Sequence, residues 1–270
     1  MKTVSVRDWN ELSDTLFSDT WDPRIKRFRS TFAYRGLNVS NYRLDNGLSR
    51  LGRPYPNLEK NLIKQFKKYA HEHVAKRFAE SEWHWISIAQ HHGLPTRLLD
   101  WTYSPYIALH FATSSVSEFN EDAAVWKVNY AQAHELLQNE HRKVLQEYGS
   151  SIFSVDALAG SIKNLEELDA KHASNYDIAV FFEPPTLDDR IVNQFAYFSA
   201  LSDPYLSMDD WFLMPHVLGK IDAIKIIIPA RIKWEIRDKL DQSNINERVL
   251  MPGLDGLCSW LKRHYTPVGP

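Results

Sequence analysis

The chain has 270 residues, a formal net charge of −2 and a single cysteine, Cys258. That length suffices for one large domain or two small ones with a real core. The charge excludes an indiscriminate nucleic-acid binder, and the lone cysteine excludes an internal disulfide framework and an all-cysteine metal site. Residues 1–8 hold no apolar leader segment, and no stretch approaches the ~18 apolar residues of a membrane helix. A soluble cytoplasmic protein is the expectation.

In chain order, Phe32–Leu37 alternates with an aromatic bias and stops at Gly36-Leu37, which predicts a strand. Over residues 58–79, Leu62, Phe66, Tyr69 and Val74 recur at helical spacing opposite Lys60, Lys64, Lys67 and Lys68, predicting an amphipathic helix with a basic side. Ser81 caps a second helix through Trp83, Trp85, Ile86 and Ala89, which Gly93 and Pro95 terminate. Ser104-Pro105 opens a buried helix over 104–114, and a strand follows at Ala123–Val128. A charge-rich, mostly helical insert spans 130–172. Strands are then predicted at Ile178–Phe182, Phe195–Leu201 and Ala223–Ile228, a helix over 231–241, and a C-terminal helix from Leu254. There is no linker, low-complexity run or repeat, and no strict βαβ rhythm. The expectation is one α+β domain over 1–270, with its core at about 30–265 and helical insertions at about 55–90 and 130–172.

Chemistry concentrates in residues 90–112, which pack Gln90, His91, His92, Thr96, Arg97, Asp100, Thr102 and Ser104 into a stretch that then becomes an apolar helix. Burying such groups is costly unless each finds a partner, so this density marks recognition or catalysis. The helix N-terminus after Ser104 offers free backbone N–H groups to an anion. His91 and His92 diverge by ~100° on a helix, which disfavours a metal site. No G-x-S-x-G elbow, P-loop or G-x-G-x-x-G occurs. Cys258 falls in the apolar repeat Leu254, Leu257, Cys258, Leu261 and reads as core rather than nucleophile.

Tyr34-Arg35-Gly36 matches the (F/Y)RG motif of the FRG domain, and the run from Gln90 to Thr102 resembles that family's central block. Ser104-Pro105, Ala108–Ala112, Arg190–Gln194, Ile226–Pro229 and Leu250–Leu257 are similar to its later blocks, so the resemblance runs from about 30 to 265. More distantly, an arginine on the first core strand and a Thr/Ser segment feeding an A-x-x-F-A helix resemble the ADP-ribosyltransferase layout. That resemblance implies a split mixed β-sheet, NAD as substrate, and transfer of ADP-ribose to nucleic acid or protein, with a toxin or phage-defence role. It implies Arg35, His91, Gln194 and Asp100 as catalytic residues. Tyr34, Gly36, Thr96, Arg97, Thr102 and Ser104 would bind the dinucleotide. Arg35, His91, Thr102 and Gln194 should then line one cleft. The acidic pair of those enzymes is missing: Gln194-Phe195-Ala196 stands in its place, leaving Glu183, Glu247, Asp255 and Asp100 as candidate carboxylates.

Each residue also has a structural reading. Arg35 would pair with Asp100 in a buried ion pair, and Arg97 with Asp100 locally. His91 would bond a carbonyl at a helix C-terminus, Gln194 would hold a strand edge, and Trp83, Trp85 and Trp101 would be core. Arg24, Lys26, Arg27 and Arg29, with Lys60, Lys64, Lys67 and Lys68, read either as solvated faces or as a track for a DNA or RNA acceptor. Two functions compete with ADP-ribosyl transfer. One is a non-catalytic module binding a nucleotide or nucleic acid. The other is a nuclease-type toxin with His91 as general acid and base.

Overall fold

A computed structural model describes residues 1–52, 57–70, 72–74, 81–174 and 176–267. The described residues hold ten strands: β1 (Lys2–Ser5), β2 (Trp21–Asp22), β3 (Arg27–Phe28), β4 (Phe32–Leu37), β5 (Leu99–Thr102), β6 (Ala123–Asn129), β7 (Phe153–Ser154), β8 (Ala179–Glu183), β9 (Ala196–Leu201) and β10 (Ala223–Ile228). The helices are α1 (Trp9–Phe17), α2 (Gly47–Arg50), α3 (Leu58–Ala70), α4 (Glu82–His91), α5 (Pro105–Ala112), α6 (Tyr130–Glu135), α7 (Asn139–Glu147), α8 (Val155–Ser161), α9 (Leu165–Ala173), α10 (Asp189–Asn193), α11 (Met208–Trp211), α12 (Lys233–Gln242), α13 (Glu247–Leu250) and α14 (Leu254–His264). The fold is mixed α+β, as the strand and helix pattern predicts. No described helix is long and apolar enough to cross a membrane.

Eight strands form one mixed sheet in the order β1-β10-β6-β4-β5-β9-β8-β7, with only the outer pairs β1/β10 and β7/β8 parallel. Period-two alternation splits the side chains between two layers. Phe32, Tyr34, Val125 and Ile226 pack against α1, α5 and α12, while Ala33, Trp101, Trp126 and Phe181 face the other way. Val180, Phe182 and Phe198 meet Trp83 of α4 and Leu158 of α8 in a third cluster. Trp83 and Trp101 are core, as expected, and Trp85 packs edge-on against Phe66.

The seam between β4 and β5 differs from the rest of the sheet. β4 pairs with β6 along its whole length, yet it meets β5 only at Tyr34 opposite Thr102. Beyond that point the two strands part. The other side of β4 is pinned by close packing: a Cβ on Gly36 would lie 1.9 Å from the Ala108 carbonyl oxygen of α5, so only glycine lets strand and helix approach.

Several expectations need correction. The N-terminal 30 residues belong to the fold, because β1 extends the sheet and Leu12 and Leu16 of α1 are fully buried. The basic helix reaches Ala70, and the remainder of the 58–79 prediction falls partly outside the described residues. Cys258 is exposed rather than core. Helix α14 turns Gly256 and Arg263 inward and leaves Leu254 and Leu261 at the surface. Its apolar repeat therefore faces solvent.

Two core histidines make the fold acid-sensitive. His134 donates from Nδ1 to the Ser151 carbonyl and accepts the Phe181 amide at Nε2, and burial pushes its pKa down to about 4. His110 accepts from Arg237, and burial together with that cation lowers it to about 3. Both stay neutral in the folded protein, whereas unfolded histidine binds a proton below about pH 6.5. The unfolded state thus holds more protons in this window, and stability falls as pH drops from about 6.5 toward the folded values. Urea unfolding at about pH 7 and about pH 5 is expected to show that loss, with a slope near 1.4 kcal/mol per pH unit for each histidine. Equal stability at the two pH values would contradict the assignment.

Candidate functional site: the cleft at the split seam

The parting of β4 and β5 opens a cleft of about 950 Å³, within the size range of ligand sites. Its walls are the C-terminal half of β4, the end of α4 with the loop into β5, the C-terminal end of α5, α10 and the start of β9. Arg35, His91, Thr102 and Gln194, from three separate sequence blocks, all line it. Asp100 and Gly36 line it as well.

Local sequence rules place these groups. Helix α4 is capped by Ser81, whose hydroxyl accepts the His84 amide. It ends in a Schellman motif: Gly93 (φ +84°) donates to the Gln90 carbonyl and Leu94 to that of Ala89, both at 2.9 Å. That stop leaves Gln90, His91 and His92 on the last turn, at the cleft. Asp188 caps α10 by accepting the Ile191 amide, while its other oxygen lies 2.7 Å from His91 Nε2. Burial opposes ionisation of Asp188, but the Ile191 amide and the His91 ring outweigh it and hold its carboxyl below the usual range.

A chain of polar contacts bridges the open seam. Thr96 donates to the Gln90 side-chain carbonyl at 2.6 Å, and Gln90 donates to the Asp100 carboxylate at 2.9 Å. Arg35 donates to the Asp100 backbone carbonyl at 2.5 Å and stands 3.7 Å from its carboxylate. The expected Arg35–Asp100 pair is therefore present, but Asp100 stays more than half exposed while Arg35 is 17% exposed. Burial lowers the Arg35 pKa, the nearby Arg50 adds to the effect, and Asp100 opposes it. Arg35 Nε is buried without a partner. Arg50 and Arg190 add two more guanidiniums to the walls, so cations outnumber carboxylates there. Such a cleft favours an anion.

Tyr34 also borders the cleft, but its ring points into the α1/α5 layer, where its hydroxyl donates to the Leu16 carbonyl. The remaining expected residues lie elsewhere. Thr96 stands behind Gln90 and acts through it. Arg97 is not in the cleft and does not pair with Asp100. It is buried against Glu59, Asp169 and the Leu201 carbonyl. Ser104 occupies the N-cap position of α5 but makes no side-chain capping bond, and it does not line the cleft. Thr102 accepts the Ser104 amide instead. The end of α5 that reaches the cleft is the C-terminal one, through Phe111 and Ser114, so its N-terminus presents no anion site there. Gln194 donates to the Leu250 carbonyl at 2.9 Å.

Of the four candidate carboxylates, Asp100 lines the cleft, and Glu183, Glu247 and Asp255 do not. Glu247 is buried between Arg237 and Arg263. Neither basic stretch lines the cleft either. Arg24, Lys26, Arg27 and Arg29 belong to the exposed β2–β3 hairpin, where Arg24 pairs with Asp22, and Lys60 of α3 pairs with Glu166. Sequence reasoning missed Arg50 and Asp188. The Asp188 capping pattern, three residues before Ile191, was its available signal.

Because Arg97 holds a buried carboxylate rather than a ligand, Arg97→Ala leaves Glu59 uncompensated. Chemical denaturation should then show a loss of about 3–5 kcal/mol. A loss near zero would return Arg97 to the surface chemistry.

The FRG domain family model matches residues 30–121, a span that includes Arg35, Gly36, Gln90, His91, Asp100 and Thr102. The blocks at Arg190–Gln194, Ile226–Pro229 and Leu250–Leu257 lie beyond the matched span. No curated protein and no solved structure matches the chain. Residues 30–121 are thus similar to the FRG domain.

Proposed function

We propose that the split-seam cleft binds NAD and that the protein transfers ADP-ribose from it to a macromolecular acceptor in the cytoplasm, as an ADP-ribosyltransferase-like enzyme. The observation that carries this reading is the convergence of Arg35, His91, Thr102 and Gln194 on one cationic cleft in a split sheet. Arg35, Arg50 and Arg190 supply planar donors suited to the two phosphates of a pyrophosphate. In the reaction, the bond between ribose C1′ and nicotinamide breaks, and nicotinamide leaves with the electron pair. A carboxylate beside the sugar steadies the oxocarbenium-like charge. Asp100 is the carboxylate suited to this role, standing beside Arg35 and oriented by Gln90. The acceptor then bonds to C1′, and its proton passes to a base. His91, oriented by Asp188, suits that step.

One observation favours the non-catalytic alternative. The Gln194 amide is already committed to Leu250, and Asp100 is tethered through both its backbone and its side chain. Binding and turnover by the full chain separate the two. Wild type is expected to bind NAD and release nicotinamide when offered protein or single-stranded nucleic acid. Arg35→Ala should weaken NAD binding by about tenfold or more, and Asp100→Asn should keep binding while slowing release about 10²–10³-fold. Binding without release under any acceptor condition would establish the binding module. No NAD binding by wild type would overturn both the substrate and the cofactor assignment.

A further inference from the structure

On the sheet face opposite the cleft floor, the paired ends of β5 and β9 carry an aromatic cluster. Tyr103 follows β5 and Phe195 precedes β9, with ring centroids 4.6 Å apart. Tyr197 backs Tyr103 at 5.6 Å, and Tyr130 backs Tyr197 at 5.7 Å. The inner pair is buried, whereas Tyr103 and Phe195 are 44% and 41% exposed.

The backbone at Phe195 shows that this exposure is imposed. Gln194 is the C-cap of α10, and Phe195 follows it with φ +47°, in the left-handed region. Glycine or asparagine ordinarily fills such a position, and a bulky aromatic there is strained. The strained residue is held by its amide, which donates to Val192, and by its carbonyl, which accepts from Tyr103. A residue chosen for stability alone would not combine a strained backbone with a ring in water. Strain of this kind collects at functional positions.

Glu183, the last residue of β8, completes the cluster. It stays accessible to solvent, and partial burial of its carboxyl pushes its pKa up. One position beyond the Phe182–Phe198 pair of β8 and β9, Glu183 falls opposite Tyr197 on the face that carries the rings, and its carboxylate adds to the burial that raises the phenols of Tyr103, Tyr130 and Tyr197. Among the described residues no cation pairs with it. An unpaired carboxylate next to part-exposed aromatic rings attracts positive charge from both sources, and it repels a phosphate backbone. A planar guanidinium uses both features, stacking on the rings and pairing with the carboxylate.

We propose that Tyr103, Phe195 and Glu183 form a binding site for an arginine side chain of a partner protein. The site stands whatever the cleft binds, so its test does not involve NAD.

The experiment titrates the full chain with a glycine-flanked arginine peptide, its neutral citrulline counterpart and a thymidine oligonucleotide, with backbone amide shifts as readout. The arginine peptide should bind with shifts at Tyr103, Phe195 and Glu183, and the other two should not. Glu183→Gln should weaken that binding about tenfold or more. Phe195→Gly should weaken it similarly while thermal stability holds or rises, because the left-handed strain is relieved. Four results would overturn the proposal: no arginine binding, equal binding of citrulline, oligonucleotide binding at these residues, or Phe195→Gly losing stability with peptide binding intact.

Discussion

The structure turns on a pairing that is withheld. A strand in the middle of a sheet ordinarily satisfies its amides and carbonyls on both sides. β4 does so toward β6 and gives up nearly all of it toward β5, keeping only the Tyr34–Thr102 register. The open stretch is bridged by side chains instead, from Thr96 through Gln90 and Asp100 to Arg35. Those bonds keep the seam open at a fixed width and line it with groups that a ligand can use. Recognition and sheet integrity are therefore carried by the same residues, which explains why polar side chains crowd so densely into one short segment.

An open seam requires rigid surroundings, and buried ion pairs provide them on two sides. Arg97 ties the loop before β5 to Glu59 of α3 and Asp169 of α9. On the other side, Glu247 sits between Arg237 and Arg263, which locks α12, α13 and α14 together. From that lock, the Val249 and Leu250 carbonyls receive the side chains of Asn193 and Gln194. Such pairs contribute little net stability compared with apolar packing, yet breaking one strands a buried charge. Their value here is positional, since they define where α4 and α10 stand relative to the cleft.

Much of this was legible in the sequence where a rule has a local cause. β4 and β10 appear with the expected boundaries because alternation and the flanking glycine or proline leave no other choice. The end of α4 was readable from Gly93, since a left-handed C-terminal residue needs no tertiary information. β5 is hard to read as a strand because Asp100 and Thr102 face the cleft, so its apolar residues are few. Arg35 and Arg97 look alike in a one-dimensional motif. Only Glu59, distant in sequence and close in space, makes one of them structural. Apolar periodicity misled at Cys258 because spacing reports a face, not what covers it.

The central claim is that the split seam is where the ligand sits. It is tested most directly by mapping backbone amide shifts of the full chain on addition of ADP-ribose. The account predicts the largest changes at Gly36, Thr102, Ser114 and Gln194, which surround the cleft from four different elements. Changes confined to the β2–β3 hairpin and α3, or no changes at all, would contradict it.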